Sequence, residues 1–481
     1  MNNLKRNFAY NLLLTVSNLL FPLISFTYLS RALGPDGLGK MQFIITFAQY
    51  FVLLSAFGIP LYGFREVARV KHDSEKLSKL FSELLIINFL FSLLLLVLYA
   101  LTVLSIGWFH KDLQLYTVAG LFILTSFTTI DWLFTGLEEF KYIAVRSIVI
   151  KSLSITALFT LVKGPEDLIF FLLISVFSVL ANNIWNICQA SRLITFQVRS
   201  IQLIKHLPVL FIFFITSLST SIYTLLDTLL LGLISNNTDV GYYTAAIKLN
   251  KIALPLIVSL GIVLTPKITQ SIENKGKYLE FQGYFDTCFS FINLIGIPVF
   301  IGIAIFSKEL LIVYAGEEFI AAVDAMRIMS PLILFLSFGH ILGLQLLIPS
   351  GNEKSYLTAT VAGLITSLSL NLALIPLLNE KGAAIATLFA EVVVTCVCYF
   401  NVKRKLQIVF NWRLVGKAVL SCVLFWPVSI LSKYLNANII LSLISQIFIC
   451  VITYLLIQGF VFKEKLIGVA FRYLKSLTAY A

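Results

Sequence analysis

Two lysines stand inside an apolar stretch of this 481-residue chain. Residues 241–265 are long and apolar enough to cross a bilayer, yet Lys248 and Lys251 lie near the middle of the stretch. A spacing of three places both ammonium groups on one face of a helix. An ionisable group at that depth is costly unless it faces protein or a water-filled cavity. The pair therefore indicates either a cationic lining for an anionic passenger or an ion pair that joins two helices.

Asp227 lies in the preceding apolar stretch at a depth that matches that of Lys248. It lies seven residues before the end of one apolar stretch, and Lys248 lies seven residues after the start of the next. At about 1.5 Å per residue, both sit roughly 10 Å below the same membrane surface, so we expect an Asp227–Lys248 ion pair. Lys251, one turn deeper, has no obvious partner at its level. It is the better candidate for binding a pyrophosphate, for which an ammonium group acts as a point charge.

Two carboxylates in other apolar stretches are candidates for ion coupling. Glu391 lies ten residues into residues 381–402, near the expected midplane. It could bind a proton or a sodium ion, or it could be a neutral acid that is hydrogen-bonded in the core. Asp131 lies with Trp132 near the cytoplasmic end of another stretch, where the tryptophan suits the interfacial aromatic belt. For Asp131, anchoring is the favoured role over transport.

Two arginines near span ends each have two interpretations. Arg327 follows Asp324 by three residues, a spacing that favours a local pair on a helix, although Arg327 is also a candidate to face the cavity. Arg31 ends the first apolar stretch. It could release a passenger at the outer mouth or cap the helix end.

The composition predicts a membrane protein. Hydrophobic residues make up 59% of the chain and charged residues 12%, about half the charged share of an ordinary globular chain. The net charge of +12 is spread over short segments between apolar stretches, which argues against nucleic acid as a partner. The four histidines and six cysteines lack metal or redox spacing. We therefore expect no metal and no cofactor, and we interpret the cysteines as small core residues.

Apolar stretches of about 20 residues, the length that crosses hydrocarbon, recur throughout the chain. They lack the alternation of barrel strands, so helices are the expected form. The prediction is an all-α integral membrane protein with about 14 transmembrane helices, at 8–30, 40–61, 80–106, 113–136, 143–162, 167–190, 208–234, 241–265, 284–306, 323–348, 356–378, 381–402, 414–434 and 438–460.

The distribution of Lys and Arg predicts the orientation of these helices. With the N-terminus inside, the inner segments hold 26 of the 36 basic residues, Arg146 and Lys151 among them, and the outer segments hold seven. Only Lys248, Lys251 and Arg327 remain. Both termini are therefore expected in the cytoplasm. The longest inner connections are predicted at 65–79, 191–207 and 266–283, and all are basic, which suits anionic lipid headgroups.

The chain also contains a weak internal repeat. Residues 28–34 match residues 226–232 at an offset of 198, and each segment is followed by a short loop and another apolar stretch. Polar stripes on membrane helices usually join helices, but stripes at equivalent places in two halves favour a shared cavity. We expect two six-helix lobes related by a parallel repeat, with bounds 1–206 and 207–405, and two further helices in 406–481. The stripes are Asn11, Thr15, Asn18, Pro22 and Ser25, and Thr216, Thr220, Tyr223 and Asp227.

Seven stretches, in order along the chain, resemble bacterial polysaccharide repeat-unit flippases of the O-antigen or capsule type, in the multidrug/oligosaccharidyl-lipid/polysaccharide exporter superfamily. They are LSRALGPDGLGK (29–40), GFREVAR (63–69), DWLFTGLEEFKYIAVRSIVIK (131–151), VGYYTAAIKL (240–249), AGEEF (315–319), IPSGNEK (348–354) and GAAIATLFAE (382–391).

The resemblance implies movement of an undecaprenyl-pyrophosphate-linked oligosaccharide between the leaflets of the bacterial cytoplasmic membrane. It also implies a cationic central cavity, a lipid-facing groove beside the last two helices, and contacts with membrane lipids and other polysaccharide-assembly proteins. Coupling would use a proton or sodium gradient. The candidate ion-coupling residues are Glu391 and Asp131, and the candidate substrate-binding residues are Lys248, Lys251, Asp227, Arg31, Asn18, Tyr223 and Arg327.

Two other classes of function were weighed. A membrane glycosyltransferase or polysaccharide polymerase usually needs a carboxylate cluster in a sizeable loop, whereas the predicted loops are short or basic. A drug/cation antiporter of the same superfamily would prefer an acidic cavity, which the lysine pair argues against. We therefore predict a transporter without enzymatic activity, with the antiporter as the nearest alternative.

Overall fold

The computed structural model describes residues 2–197, 201–273, 278–431 and 438–464, and within these ranges every regular element is a helix. Ten of the described helices are long and apolar enough to cross a membrane. A bent pair, Glu317–Met329 with Leu332–Leu347, would be an eleventh span. The all-α membrane prediction is confirmed, whereas the count of fourteen stays a prediction.

The chain forms two compact units, Met1–Gly241 and Tyr242–Ala481. The lobe bounds expected from the sequence stay a prediction. The helices of the first unit are α1 Asn2–Ser55, α2 Ile59–Val70, α3 Ser74–Ser105, α4 Leu113–Leu124, α5 Asp131–Gly136, α6 Phe140–Leu161, α7 Leu168–Ala190 and α8 Leu207–Ile234. Then follow α9 Asn237–Lys251, α10 Leu254–Glu273, α11 Tyr278–Tyr314, α12 Val323–Met329, α13 Leu332–Gly339, the π-helix His340–Leu347, α14 Glu353–Leu406, α15 Trp412–Ser421, α16 Phe425–Leu431 and α17 Ile439–Leu456.

Each unit has its own apolar core. The side chains that form these cores come from helices distant in the sequence, so each unit is held by tertiary packing as well as by its helical hydrogen bonds. In the first unit the core includes Val67, Leu84, Ile130, Leu133 and Phe134. In the second it includes Phe285, Phe289, Ile341, Leu342 and Val394.

Helices α1 and α14 are each too long for one crossing. Each has 54 residues, which is roughly 80 Å against a hydrocarbon thickness of about 30 Å. Each is bent near its middle, α1 at Gly34 with φ 65° and α14 at Asn379 with φ 48°. The bends fall between the predicted spans 8–30 and 40–61 and between 356–378 and 381–402. Each long helix therefore accounts for two predicted spans.

Five predicted spans are interrupted among the described residues, which was not expected from the sequence: 40–61, 113–136, 241–265, 323–348 and 414–434. The span 40–61 breaks between Ser55 and Ile59, where Gly58 has φ 76°. The span 241–265 breaks after Lys251 and resumes at Leu254. Interruptions at corresponding points of the two halves support the internal repeat.

Two of the three long inner connections predicted from the sequence, 65–79 and 266–283, are largely helical. Helix α2 reaches Val70 and α3 starts at Ser74, so most of the predicted loop 65–79 is regular structure. Helices α10 and α11 likewise cover most of 266–283. Lys, Arg and Glu favour helix, so a helix can continue into water beyond the hydrocarbon.

The cysteine interpretation was partly right. Cys288, Cys398, Cys422 and Cys450 are buried, as expected for core residues. Cys188 and Cys396 are exposed on the helix surfaces, where the core interpretation was wrong. A thiol is apolar enough to face lipid, so its presence in an apolar stretch does not determine which side it faces.

Glycines allow α1 to approach the start of α9 closely within the first unit. A Cβ atom added to Gly39 would lie 1.7 Å from the carbonyl oxygen of Asn237, and one on Gly241 would lie 2.1 Å from the carbonyl oxygen of Pro35. On α8, Gly232 similarly makes room for a phenylalanine ring of α1. Small residues are the usual means by which membrane helices bring their backbones together. We call this contact the glycine seam.

A buried carboxylate fixes the segment that leads into α8. Glu83 on α3 is 1% exposed and accepts hydrogen bonds from the His206 Nε2 atom at 2.8 Å and the Gln202 amide at 2.9 Å. The Lys205 ammonium lies 3.0 Å from the same carboxylate. On its other side, the His206 ring shares a 2.7 Å hydrogen bond with the Tyr62 hydroxyl. The start of α8 is thus tied to α2 and α3.

We predict that Gly39→Ala lowers the thermal unfolding midpoint of the purified protein. The new methyl group would overlap the Asn237 carbonyl, and overpacking of this kind costs about 1–3 kcal/mol. Gly283→Ala is the matched control, since no neighbouring atom lies within 4 Å of its Cβ position. The control should be neutral or stabilising because alanine favours helix by up to about 1 kcal/mol. Equal midpoints for the two variants would show that the seam does not constrain the fold.

Candidate functional site

Helix α1 exposes two opposite faces of different chemistry. Asn18 and Pro22 are exposed, and Asn18 is a neutral amide that lipid would not accommodate well. At about 100° per residue, the exposed apolar side chains of the same helix lie on the opposite face. The face that carries Asn18 therefore points away from the apolar residues that suit lipid. The predicted polar stripe requires this orientation. The apolar face consists of Leu13, Val16, Leu20 and Ile24, which are 42–51% exposed.

Lys151 is the partner of Asn18. The Lys151 ammonium group donates a hydrogen bond to the Asn18 side-chain oxygen and lies 6.0 Å from the centre of the Phe21 ring. Among the described residues it has no acidic partner. The orientation rule had assigned Lys151 to an inner loop, but it lies inside the 22-residue helix α6, roughly 15 Å from either end. Its central position in the apolar stretch 143–162 was the overlooked signal.

Asp131 forms an ion-paired cluster with a second basic residue that had been assigned to a loop. Arg146 on α6 is 3% exposed, and its Nη2 atom lies 2.7 Å from the Asp131 Oδ1 atom. The Asn186 amide donates to the same oxygen at 2.9 Å. This cluster joins α5, α6 and α7, which supports a structural role for Asp131. Its role in ion coupling stays a prediction.

Trp132 is not an interfacial anchor. Its side chain is 5% exposed and packs where Gly63 carries no side chain. A Cβ atom on Gly63 would lie 2.6 Å from the indole ring. The prediction of an aromatic belt position was wrong because the glycine on α2 provides an internal site for the ring.

The remaining candidates of the first unit lie elsewhere on α1 and α8. The Arg31 Nη1 atom donates to the Thr27 carbonyl at 2.8 Å, which supports the capping role. Asp227 is 3% exposed and lies within electrostatic reach of the Tyr50 hydroxyl. The side chain of Tyr223 lies outside the described residues.

In the second unit, Lys248 and Lys251 lie in the last turn of α9. Lys248 is exposed, whereas the next two residues along the helix are buried. Lys251 is half-buried and is the last residue of α9, where a cation is favoured by the helix dipole. Lys251 has no hydrogen-bond or ion-pair partner among the residues that the structure describes. Lys248 and Asp227 belong to different compact units, and their pairing stays a prediction.

The predicted local pair between Asp324 and Arg327 is not a direct ion pair, although Arg327 lies within electrostatic reach of Asp324. Asp324 pairs with Lys381 at 2.6 Å, and the Arg327 Nε atom donates to the Ser307 hydroxyl at 2.9 Å. Helix α14 packs beside α12 and bends at Asn379, which brings Lys381 to the aspartate. Arg327 is exposed, so its predicted contact with the passenger stays open.

Glu391 lies in the second half of α14 and is 4% exposed. Its carboxyl group is within electrostatic reach of the Tyr356 hydroxyl and the Cys398 thiol. Burial of the acid is compatible with both alternatives from the sequence, a coupling site and a core acid. The described residues contain no group of three or more His, Cys, Asp or Glu side chains that could hold a metal ion.

An apolar groove of about 730 Å³ lies within the second unit. Helices α11 and α17 contribute most of its walls, and α10 and α16 add one residue each, Leu260 and Phe425. Of its lining side chains, only those of Thr287, Cys450 and Tyr454 carry a polar or sulfur atom. The groove is therefore suited to a hydrocarbon chain rather than to a sugar. Representative lining residues are Leu260, Leu294, Pro298, Gly302, Ile447 and Val451.

Comparison with known proteins gives a family and a fold. The model of the family described as "Polysaccharide biosynthesis protein" matches residues 4–272. A Shigella dysenteriae protein named "Putative O-antigen transporter" is 25% identical over 399 residues, which cover 81% of this chain and 98% of the relative.

Two solved structures have a similar fold. The inward closed conformation of the lipid II flippase MurJ has a TM-score of 0.72 at 16% identity, with 95% of this chain and 100% of that chain covered. An inward-facing multidrug resistance transporter of the MATE family in the MOP superfamily has a TM-score of 0.63 at 14% identity, with coverages of 81% and 94%. Because the family model covers more than half of the chain, this multi-pass membrane protein belongs to the polysaccharide biosynthesis protein family.

Proposed function

We propose that the protein is a flippase that moves undecaprenyl-pyrophosphate-linked oligosaccharide repeat units from the inner to the outer leaflet of the bacterial cytoplasmic membrane. The product serves the assembly of a surface polysaccharide such as O-antigen or capsule, together with other assembly proteins. Both chain ends lie in the cytoplasm. The two lobes work by alternating access. The family, the name of the Shigella dysenteriae relative and the MurJ-like fold support the proposal.

The observation that carries the proposal is the apolar groove of the second unit. A lipid-linked sugar has a polar head that hydrocarbon excludes and a polyprenyl tail that hydrocarbon accepts, so a flippase must shelter only the head. The groove volume of about 730 Å³ is within the usual range for small-molecule sites. Its almost entirely apolar walls match the tail and do not match a soluble cationic drug.

Lys251, the last residue of α9, supplies a cation that is separated from the groove-lining part of α10 by the break at residues 252–253. Leu260, which lines the groove, follows Lys251 by nine residues, or roughly 14 Å along a helix. A pyrophosphate at Lys251 would leave its tail free to enter the groove. Lys248 is then shared between the pyrophosphate and Asp227, and Arg31, Tyr223 and Arg327 contact the polar head.

We predict that Lys251→Ala slows flipping of a fluorescent lipid-linked oligosaccharide in proteoliposomes by roughly 10- to 100-fold. Loss of a hydrogen bond to a charged group costs about 1.5–3 kcal/mol. Lys251→Arg should keep part of the rate because the cation remains while its geometry changes. Lys267→Ala, an exposed lysine of α10, is the matched control. Wild-type flipping by Lys251→Ala, or rapid uptake of a cationic dye by the wild-type protein, would contradict the proposal.

We also predict that Gly302→Phe reduces flipping of a C55-linked probe more than that of the same head group on a C10 chain. Gly302 lines the groove, and no neighbouring atom lies within 4 Å of its Cβ position, so the new ring would occupy the groove without displacing backbone. Gly283→Phe has equal space outside the groove and serves as the control. If Gly302→Phe slowed the flipping of both probes equally, the groove would not be the binding site of the polyprenyl tail.

Glu391 is proposed as the site that binds the coupling proton or sodium ion. Glu391→Gln keeps the size and hydrogen-bonding capacity of the side chain but cannot ionise. It should therefore abolish the response of the flipping rate to an imposed ion gradient, with little change in thermal stability. The measurement is the rate in proteoliposomes with and without each gradient. A variant that still responds to the gradient as the wild type does would exclude Glu391 from coupling.

A further inference from the structure

Lys151 is a charged group that the proposed contacts leave unexplained. It lies in the middle of α6, on the face opposite to Val145, Val149 and Leu153, which are 38–63% exposed. Its four-carbon stem is too short to carry the ammonium group to either membrane surface, roughly 15 Å away. Lys151 therefore remains at membrane depth, on the side of α6 that faces the exposed amide of Asn18 on α1.

Among the described residues, the Lys151 ammonium group has no counter-charge and uses only part of its hydrogen-bonding capacity. An ammonium group has three N–H donors, and Asn18 accepts one of them. Asn18 is neutral, and none of the described acidic side chains pairs with this lysine. A cation at this depth is costly without a counter-charge or water. The retained charge indicates that an anion reaches this position during the working cycle.

We propose that Lys151, held in place by Asn18, is a second anion-binding position of the transport path, in the first unit. Its ligand is an anionic oxygen group of the passenger, either the pyrophosphate or a carboxylate of an acidic sugar. The proposal rests on the function proposed above, since it assigns another contact to the same passenger. An ammonium group accepts either anion because it acts as a point charge without a fixed fork geometry. The neighbouring Phe21 ring, whose centre lies 6.0 Å from the ammonium group, adds a cation–π contact that helps to hold the cation in place.

Binding to the purified full-length protein tests the proposal with three probes. These are undecaprenyl pyrophosphate alone, the same lipid with a neutral disaccharide, and the same lipid with a disaccharide that contains one glucuronic acid. Lys151→Met should weaken binding by roughly 10- to 100-fold, the effect of losing a hydrogen bond to a charged group. A loss for all three probes identifies the pyrophosphate as the ligand, and a loss for the glucuronic acid probe alone identifies the carboxylate. Lys141 is an exposed lysine in the first turn of α6, and the control variant Lys141→Met should bind all three probes as the wild type does.

Asn18→Asp separates a binding role from a structural one. The new carboxylate would pair with Lys151 inside the protein and compete with the passenger, so binding should fall as it does for Lys151→Met while the thermal midpoint is kept. A lysine that only supports the fold would tolerate this change without loss of binding. Wild-type affinity in folded Lys151→Met or in Asn18→Asp would overturn the inference. If Lys251→Ala loses binding while Lys151→Met keeps it, the proposed function stands and this inference fails. If the wild type binds none of the probes, both fail.

Discussion

Hydrocarbon offers no hydrogen-bond partner to a peptide group, and this constraint governs the whole chain. It forces every described crossing into a helix and makes each interruption costly unless protein or water satisfies the freed groups. Within the described residues, interruptions inside the predicted spans follow Ser55, Leu124, Lys251, Met329 and Ser421. The one after Lys251 places a half-buried cation at a helix end.

The helical class and most helix positions were predictable because hydropathy integrates over about 20 residues. The same averaging concealed the breaks near Gly58 and after Lys251, which involve only two or three residues. Pro255 and Gly58 were local signals for these breaks. The charged extensions of α2 and α10 were also missed, since hydropathy reports where lipid ends and not where a helix ends.

The candidate site was only partly predictable for a different reason. Asn18 was identified from a stripe with helical period, and the structure places it on the face of α1 opposite the exposed apolar side chains. Lys151 and Arg146 were missed because the orientation rule assigns basic residues to loops, whereas both lie inside α6. The partner of Asp324 was also missed, since Lys381 is 57 residues away in sequence. Local spacing favoured Arg327, and tertiary packing determined the outcome.

The fixed positions of Lys151 and Lys251 bear on the electrical work of transport. Both cations are covalently part of helices, so they cannot leave with a passenger as a mobile counter-ion would. In the proposed direction of movement, every negative charge of the head group then crosses the membrane voltage uncompensated, from the negative interior to the positive exterior. The outward movement of each such charge is favoured by about 2.3 kcal/mol of free energy per 100 mV of membrane voltage. The voltage itself would therefore favour export, most strongly for passengers with the most acidic head groups.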